Sequence, residues 1–538
     1  MMKKSIVGVT AILAVALMAE ATFAFPCARS SRGGDFNGDG FVNMLDFASL
    51  AINWLDANCS DSNWCDCADL DTSGDVDTTD LKLLAGEWLA AVEAFDGTVI
   101  LGKPTESSVT ASVLSDEELD IYLEYGTTSG VYTDQTEAYA IQPGTPLELV
   151  IQELQPNTPY YYRINYRHTG EGQFSSGQEY SFHTQRQPGS TFFFTIQADP
   201  HLGDDNTNSA LYELTLRNAL DDAPDFHVDL GDTFMTEKYT SGSYQEALQM
   251  ALNHRPYFDV IARSAHLFLV NGNHEAELGW SLDGTANSMA VNATLARRYC
   301  YPTPVPGGFY SGGSTPEPHI GIRDGYYAWT WGDALFIVLD PFWYTTTKPN
   351  RSGDCWDWTL GFEQYSWLKD TLEQSSATFK FVFIHNLFGT TAGRGGIETA
   401  GYYEWGGLNA DNSWGFDVER PGWAMPIHGL LVENNVSIVF HGHDHFFIKQ
   451  DLDGIIYQLV PQPSHPNFKR ANQADAYGYQ SGEILPNSGH LRVTVRPSEV
   501  IVDYVRAYLP ETEDSERING QISHTYRIEH HTDTHAPK

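Results

Sequence analysis

Five blocks of ligand-type side chains stand far apart in this chain: Asp199-Pro200-His201, Gly231-Asp232, Gly272-Asn273-His274-Glu275, His385 and Gly442-His443-Asp444-His445. Carboxylates, an amide and imidazoles form the mixed nitrogen and oxygen donor set that divalent transition metals accept. Each block closes an apolar run that reads as a buried strand: FFFTIQAD, FHVDLGD, HLFLVNGNHE, FKFVFIH and SIVFHGHDH. Alone each block is weak, because an Asp-x-His is an ordinary turn and GHxH is more often structural. All five at strand ends point to one centre, since open α/β sheets collect their sites beyond the carboxyl ends of their strands. The expected arrangement is a two-metal site along one edge of a sheet, and with it an enzyme.

These strands need a frame. After Arg186-Gln187-Pro188-Gly189-Ser190, strands alternate with the helical stretches SALYELTLRNALDD and EQYSWLKDTLEQ. This predicts an α/β domain over 190–509, with mixed sheets flanked by helices. Residues 510–538 read as one more strand, SHTYRIE, and a tail. Over 95–187 the segments SSVTASV, LDIYLEYG, LELVIQEL and YYYRINYR, parted by Gly, Pro and Asn turns, predict a β-sandwich that serves as a spacer against the catalytic domain.

A repeat stands nearer the start. Asp35, Asn37, Asp39, Phe41, Asn43 and Asp46 return in register as Asp69, Asp71, Ser73, Asp75, Asp77 and Asp80. Oxygen ligands at loop positions 1, 3, 5, 9 and 12, a backbone carbonyl at 7 and Gly at 6 make the EF-hand calcium arrangement. Position 12 is Asp where the longer Glu is usual. Each loop runs into a helical segment, FASLAINWL or LKLLAGEWL, so a small all-α calcium module is expected over 33–90.

Residues 1–24 carry Lys3 and Lys4, an apolar stretch and the small-residue exit ATFA, the pattern of a signal peptide. The mature chain is therefore expected to be exported, periplasmic or extracellular, with no transmembrane anchor. Six cysteines suit an oxidising compartment; bridges are expected within the group Cys27, Cys59, Cys65 and Cys67 and within Cys300 and Cys355. A chain of 538 residues exceeds one ordinary core. Its 31 Lys and Arg against 70 Asp and Glu give a net charge of −39, which excludes a nucleic-acid backbone as main partner.

The five blocks together resemble the calcineurin-like metallophosphoesterase superfamily, whose pattern is DxH, GD, GNH[D/E], H and GHxH. By that resemblance Asp199, His201 and His445 hold one metal, Asn273, His385 and His443 the second, and Asp232 bridges both. It implies a dimetal-dependent phosphoric ester hydrolase, with Mn, Fe or Zn as the ions, a phosphate-ester substrate and a metal-bridging hydroxide as nucleophile. His274 is then the general acid, and Glu275 supports loop geometry. Arg394, in a Gly-rich loop after His385, reads either as a phosphate clamp or as a surface cation; the sequence leaves both open. The repeat resembles a type I dockerin, which implies bound Ca2+ and a cohesin-type protein partner. Leu154 to Tyr162 resembles the tyrosine corner of fibronectin type III domains, a domain that purple acid phosphatases place before a similar catalytic domain. Those phosphatases have a Tyr ligand where this chain has Met235 and a Gly where it has His201, so no iron-phenolate site is expected. Met235 also stands where Ser/Thr protein phosphatases keep an Asp that orients the catalytic His. The alternative is a dockerin-bearing scaffold or adhesion protein whose metallophosphoesterase-like domain is inactive.

Overall fold

The computed structural model describes residues 95–529 except 472 and, nearer the start, residues 34, 42, 44–57, 59, 65, 68–71 and 73–86. The signal-peptide expectation and the tail beyond 529 lie outside them, as do Asp35, Asn37, Asp39, Phe41 and Asn43 of the first calcium loop.

Two sheets carry the catalytic region. The first orders six strands as His266–Leu269, Phe226–Asp229, Phe192–Gln197, Gly489–Arg496, Glu499–Arg506 and Ile522–Glu529. The second runs from 311–312 through Tyr327–Trp331, Ala334–Val338, Phe379–Phe383, Ile438–His441, Ile455–Leu459 and Phe447–Leu452 to Glu483–Leu485. Both are mixed. The three strands from 192 to 269 are parallel, as are those at 334–338, 379–383 and 438–441, while the hairpin strands after residue 489 are antiparallel.

Alternation explains how the sheets join. Phe192, Phe194 and Ile196, then Phe226 and Val228, point the same way and meet Trp329, Phe336, Phe381, Phe383 and Phe440 of the second sheet in one buried cluster. Phe194 lies edge-on to Phe336 with centroids 5.3 Å apart, and Phe268 stacks on Trp329 at 4.0 Å. Rings of this size dominate the burial energy of a core. The outer face of the second sheet, including Ile337, Val382 and Val439, packs under helices Gly361–Gln374 and Ile427–Glu433. On the first sheet Leu267 and Leu269 lie against Ala251, Phe258 and Ala262 of helix Tyr244–Ala262. Helix Ser209–Asp221 packs on that helix through Leu216, Ala219 and Ile261. The result is a four-layered α/β/β/α arrangement.

The region 97–183 consists of two antiparallel sheets, as a β-sandwich requires. Gly97–Gly102, Val109–Ser115 and Leu147–Ile151 form one; Leu119–Gly126, Asp134–Gln135, Tyr139–Ile141, Pro159–His168 and Ser175–His183 form the other. The chain divides into two compact units, and the boundary runs through this region: 98–114 and 146–158 belong with 182 onward, whereas 115–145 and 159–181 belong with the start of the chain. Within the larger unit the buried Arg255 of helix Tyr244–Ala262 donates to Ser112 O at 2.9 Å and Thr98 Oγ1 at 2.9 Å, so the three-stranded sheet is fastened to the catalytic layers.

The calcium module contributes helices Met44–Ile52 and Thr78–Gly86, with Val42, Leu50, Ala68, Val76 and Leu84 as its core. Cys59 and Cys65 are joined as a disulfide. The expected bridge between Cys300 and Cys355 does not form; both are free, buried thiols in different apolar clusters. Among the described residues no helix is long and apolar enough to cross a membrane.

Candidate metal centre

The five blocks meet at one place, with a correction to its architecture. The ligands do not line one edge of a single sheet. Asp199, Asp232 and Asn273 follow strands of the six-stranded sheet, whereas His385 and His443 follow strands of the eight-stranded one. Both sets of parallel strands end at the same side, and the sandwiched sheets bring the two rims together.

The backbone there is unusual. Asp199, His201, Asp232, His443 and His445 all have positive φ, between 47° and 76°. Left-handed backbone costs a residue with a Cβ energy and persists where surrounding structure fixes it. Glycine enables the close approaches. A Cβ on Gly442 would lie 2.7 Å from Asp199 Oδ2, and one on Gly272 would collide with the Asp232 carboxylate.

His201 Nε2 stands 3.7 Å from Asp199 Oδ1 and 3.2 Å from Asp232 Oδ2. His385 Nε2 stands 3.8 Å and 3.2 Å from the same two atoms, and His445 Nε2 is 3.5 Å from Asp199 Oδ1. Ligand atoms of Asp199, His201 and His445 all lie within 4.8 Å of one another, and so do those of Asp232, His385 and His443. A third overlapping group joins His201, Asp232 and His274. Asp232 faces both sides.

The donor set fits cations by a direct criterion. Asp199 Oδ1, Asn273 Oδ1, His385 Nε2 and His443 Nδ1 are buried without a hydrogen-bond partner. Such an orphaned atom costs about 1–3 kcal/mol. The opposite atom of each of three of these side chains is fixed. Asp199 Oδ2 accepts from His443 N at 2.8 Å, His385 Nδ1 faces Leu230 O at 2.8 Å, and His443 Nε2 faces Ala392 O at 2.8 Å. The backbone thus orients each ring and leaves its other nitrogen for a metal.

Electrostatics agree. Burial alone would raise the Asp199 and Asp232 carboxyls; the neighbouring imidazoles outweigh it and hold both well below the usual range. Burial opposes protonation of both His385 and His201, yet the Asp232 and Asp199 carboxylates beside them push each up to about 10. His443 goes the other way, to about 3, through burial and the charge of His385. Two buried carboxylates therefore make a pocket that favours positive charge, with a neutral imidazole beside it.

Supporting residues surround this set. Glu275 accepts four backbone N–H groups, from Asp232 (2.8 Å), Thr233 (2.6 Å), Phe234 (3.1 Å) and Gly272 (2.6 Å), and so ties two ligand loops into one piece. Asp204 Oδ2 lies 3.2 Å from His201 Nδ1. Arg394 is engaged: it donates to Asp444 Oδ1 at 2.7 Å and His443 O at 3.2 Å, and its guanidinium lies 4.1 Å from the centre of the Tyr477 ring. Sequence reasoning missed Glu237, whose Oε2 stands 3.0 Å from His274 Nδ1. That hydrogen bond holds the Glu237 carboxyl below its ordinary value. No local pattern marks Glu237, because it meets His274 from a separate short helix, Thr236–Tyr239, capped by buried Met235 at φ 55°.

Two cavities open beside the centre. One of about 310 Å³ reaches His445 and is walled by polar groups including Asp204, Gln462, His465 and Arg470. The other, about 110 Å³, reaches Asn273, His274 and His443 and is also lined by Trp280 and Trp358.

In the second calcium loop, carboxylate oxygens of Asp69, Asp71 and Asp80 lie within 4.8 Å of one another. Asp69 accepts from Ser73 N at 3.0 Å and Gly74 N at 2.8 Å, and Asp80 accepts from Leu70 N at 2.7 Å and Asp77 N at 2.7 Å. Gly74, at loop position 6, has φ +99°. Ser73 Oγ donates to Asp75 O at 3.2 Å, and Asp77 caps Thr79 N at 2.6 Å. Asp46 of the first loop is buried.

Residues 194–447 match the calcineurin-like phosphoesterase model, and residues 33–87 match the dockerin type I domain model. No curated protein matches the chain. Its fold is similar to that of a solved structure of PhoD, with a TM-score of 0.59 and 14% identity over 80% of this chain and 90% of that one. It is also similar to a purple acid phosphatase, PPD1 from yellow lupin (Lupinus luteus) seeds, with a TM-score of 0.50 and 15% identity over 80% and 74% of the two chains. At these identities the likeness is one of fold. Behind a dockerin type I domain, the chain carries a calcineurin-like phosphoesterase domain with a buried Asp/His metal-binding cluster, and it is a hydrolase of phosphoric esters.

Proposed function

We propose that this chain is an exported phosphoesterase that works with two divalent transition metal ions, Mn, Fe or Zn. Asp199, His201 and His445 hold one ion, Asn273, His385 and His443 the other, and Asp232 both. The observation that carries this reading is the set of four buried, unpartnered ligand atoms at the meeting of the two sheet rims. When bound, such a pair of ions polarises phosphoryl oxygens and acidifies water.

The chain's own residues do the rest. Glu275 and the Leu230 and Ala392 carbonyls fix the ligand loops, so the centre is formed before substrate arrives. His274 stands at the edge of the cluster, with Nε2 3.9 Å from Asp232 Oδ2. From there it gives a proton to the departing alcohol oxygen as the general acid. Arg394 supports the His443–His445 turn through Asp444. The dockerin module binds Ca2+ through the second loop, and through the first by its repeat, and attaches the enzyme to a cohesin-type partner outside the cytoplasm.

Metal analysis with p-nitrophenyl phosphate and bis-p-nitrophenyl phosphate assays tests the enzyme. Asp232→Asn is expected to lower kcat by about 10³-fold or more and to reduce metal content, since it removes the charge between the ions. Wild-type protein inactive with every divalent metal, or a D232N variant as active as wild type, would sink the proposal.

A further inference from the structure

His274 has neighbours that the general-acid role alone does not account for. Its Nδ1 meets Glu237 Oε2 at 3.0 Å, while the other oxygen of Glu237, Oε1, lies 3.9 Å from Lys348 Nζ. Lys348 Nζ in turn stands 5.4 Å from the centre of the Trp280 ring. Glu237 comes from the short helix that begins after Met235. All four side chains line the 110 Å³ cavity, together with Trp358, Asn273 and His443. The volume suits one ring. Its walls pair two indoles, Trp280 and Trp358, edge-to-face with centroids 6.0 Å apart, with polar groups at the acid, an environment for a planar alcohol whose oxygen points to His274.

We propose that this cavity is the leaving-group subsite for a ring-sized, planar alcohol, and that Glu237, braced by Lys348, is the positioning residue for His274. The inference rests on the phosphoesterase reading above. The chemistry balances as follows. A water oxygen forms the new bond to phosphorus and sheds one proton to solvent. The phosphorus–oxygen bond to the alcohol breaks, and its electron pair stays on that oxygen. His274 Nε2 gives its proton to the oxygen, while Nδ1–H stays donated to Glu237 Oε2. The imidazole then regains a proton from solvent. A carboxylate fixed on Nδ1 holds the ring's orientation and leaves Nε2 as the proton donor.

Two measurements test the two halves. For Glu237, kcat and KM are determined on aryl phosphates that run from p-nitrophenyl, which leaves without help, to phenyl, which needs a proton. Glu237→Gln should cut kcat about 10²-fold on phenyl phosphate and less than about 3-fold on p-nitrophenyl phosphate, with KM and metal content held. Glu237→Asp, shorter but still charged, should recover part of the loss, and Lys348→Ala should reproduce it weakly. An equal loss on both substrates, or none, would overturn the assignment. For the cavity, calorimetry compares phenylphosphonate with methylphosphonate, neither of which turns over. Wild type should bind the phenyl compound about 10-fold more tightly, and Trp280→Ala should reduce that preference below about 2-fold while leaving methylphosphonate affinity unchanged. Equal affinity of wild type for the two compounds would refute the subsite. If instead no phosphate ester is hydrolysed, the enzyme reading itself falls, whereas selective binding without turnover would retain the cavity.

Discussion

Two acidic clusters in this molecule solve opposite problems. In the second calcium loop, Asp69 and Asp80 spend carboxylate oxygens on backbone N–H groups of their own turn, within ten residues in sequence. In the catalytic centre the carboxylates and imidazoles come from five distant strand ends, and four ligand atoms are left with no partner. The loop is a local object whose carboxylates help to build its own turn. In the centre Asp199 and Asp232 each accept one backbone N–H from another block, His443 and His274, and most of the remaining support comes from Glu275 and the Leu230 and Ala392 carbonyls, so that ligand atoms are left for the ions. The difference teaches where each site's stability resides: in its ligands for the loop, in its supports for the centre.

The largest effect that would break this comparison is at Glu275. Glu275→Ala removes the acceptor from four backbone donors and should destabilise the catalytic domain by about 3 kcal/mol or more. Affinity for the transition metals should fall about 10–100-fold although no ligand is touched. Thermal unfolding and metal titration report both; an unchanged melting temperature with full metal content would show that the ligands hold themselves. The calcium loop should respond more modestly. Saturating Ca2+ at about 100 times its dissociation constant should stabilise the dockerin module by about 2.7 kcal/mol for each loop that binds it. Asp69→Asn should abolish the share due to the second loop while leaving phosphoesterase activity intact. Loss of that activity would mean the two clusters are not independent. The smallest effect belongs to the exposed helical pair Arg217–Glu213, at 2.6 Å with side chains 60% and 44% exposed. Arg217→Ala should change stability by no more than about 0.5 kcal/mol, measured by denaturant unfolding. A larger loss would show that surface pairs, and not the buried supports, secure the catalytic domain.

The same contrast explains what could be read in advance. Strand-end blocks and calcium repeats are local patterns: a ligand next to an apolar run reports its own position, and a twelve-residue loop contains its whole site. Helices at 209–221 and 361–374 follow the segments read as helical, for the same reason. Pairings across the sequence left no such mark. That the ligands come from two sheets depends on sheet packing, which alternation in one strand does not specify. Arg394 meets Asp444 across 50 positions, and Arg255 reaches Ser112 across 143. Glu237 was invisible because a carboxylate two residues beyond Met235 carries no motif; only the left-handed turn at Met235 brings it under His274.

That run of left-handed ligand residues also sets how the enzyme can change. At Asp199, His201, Asp232, His443 and His445, glycine would adopt the observed backbone with less strain than the residue present. The substitutions that relax the chain most easily are therefore those that erase the chemistry, and selection for stability alone would drift toward an inert shell. The aromatic layer between the sheets supplies the surplus cohesion that lets the strained residues stay.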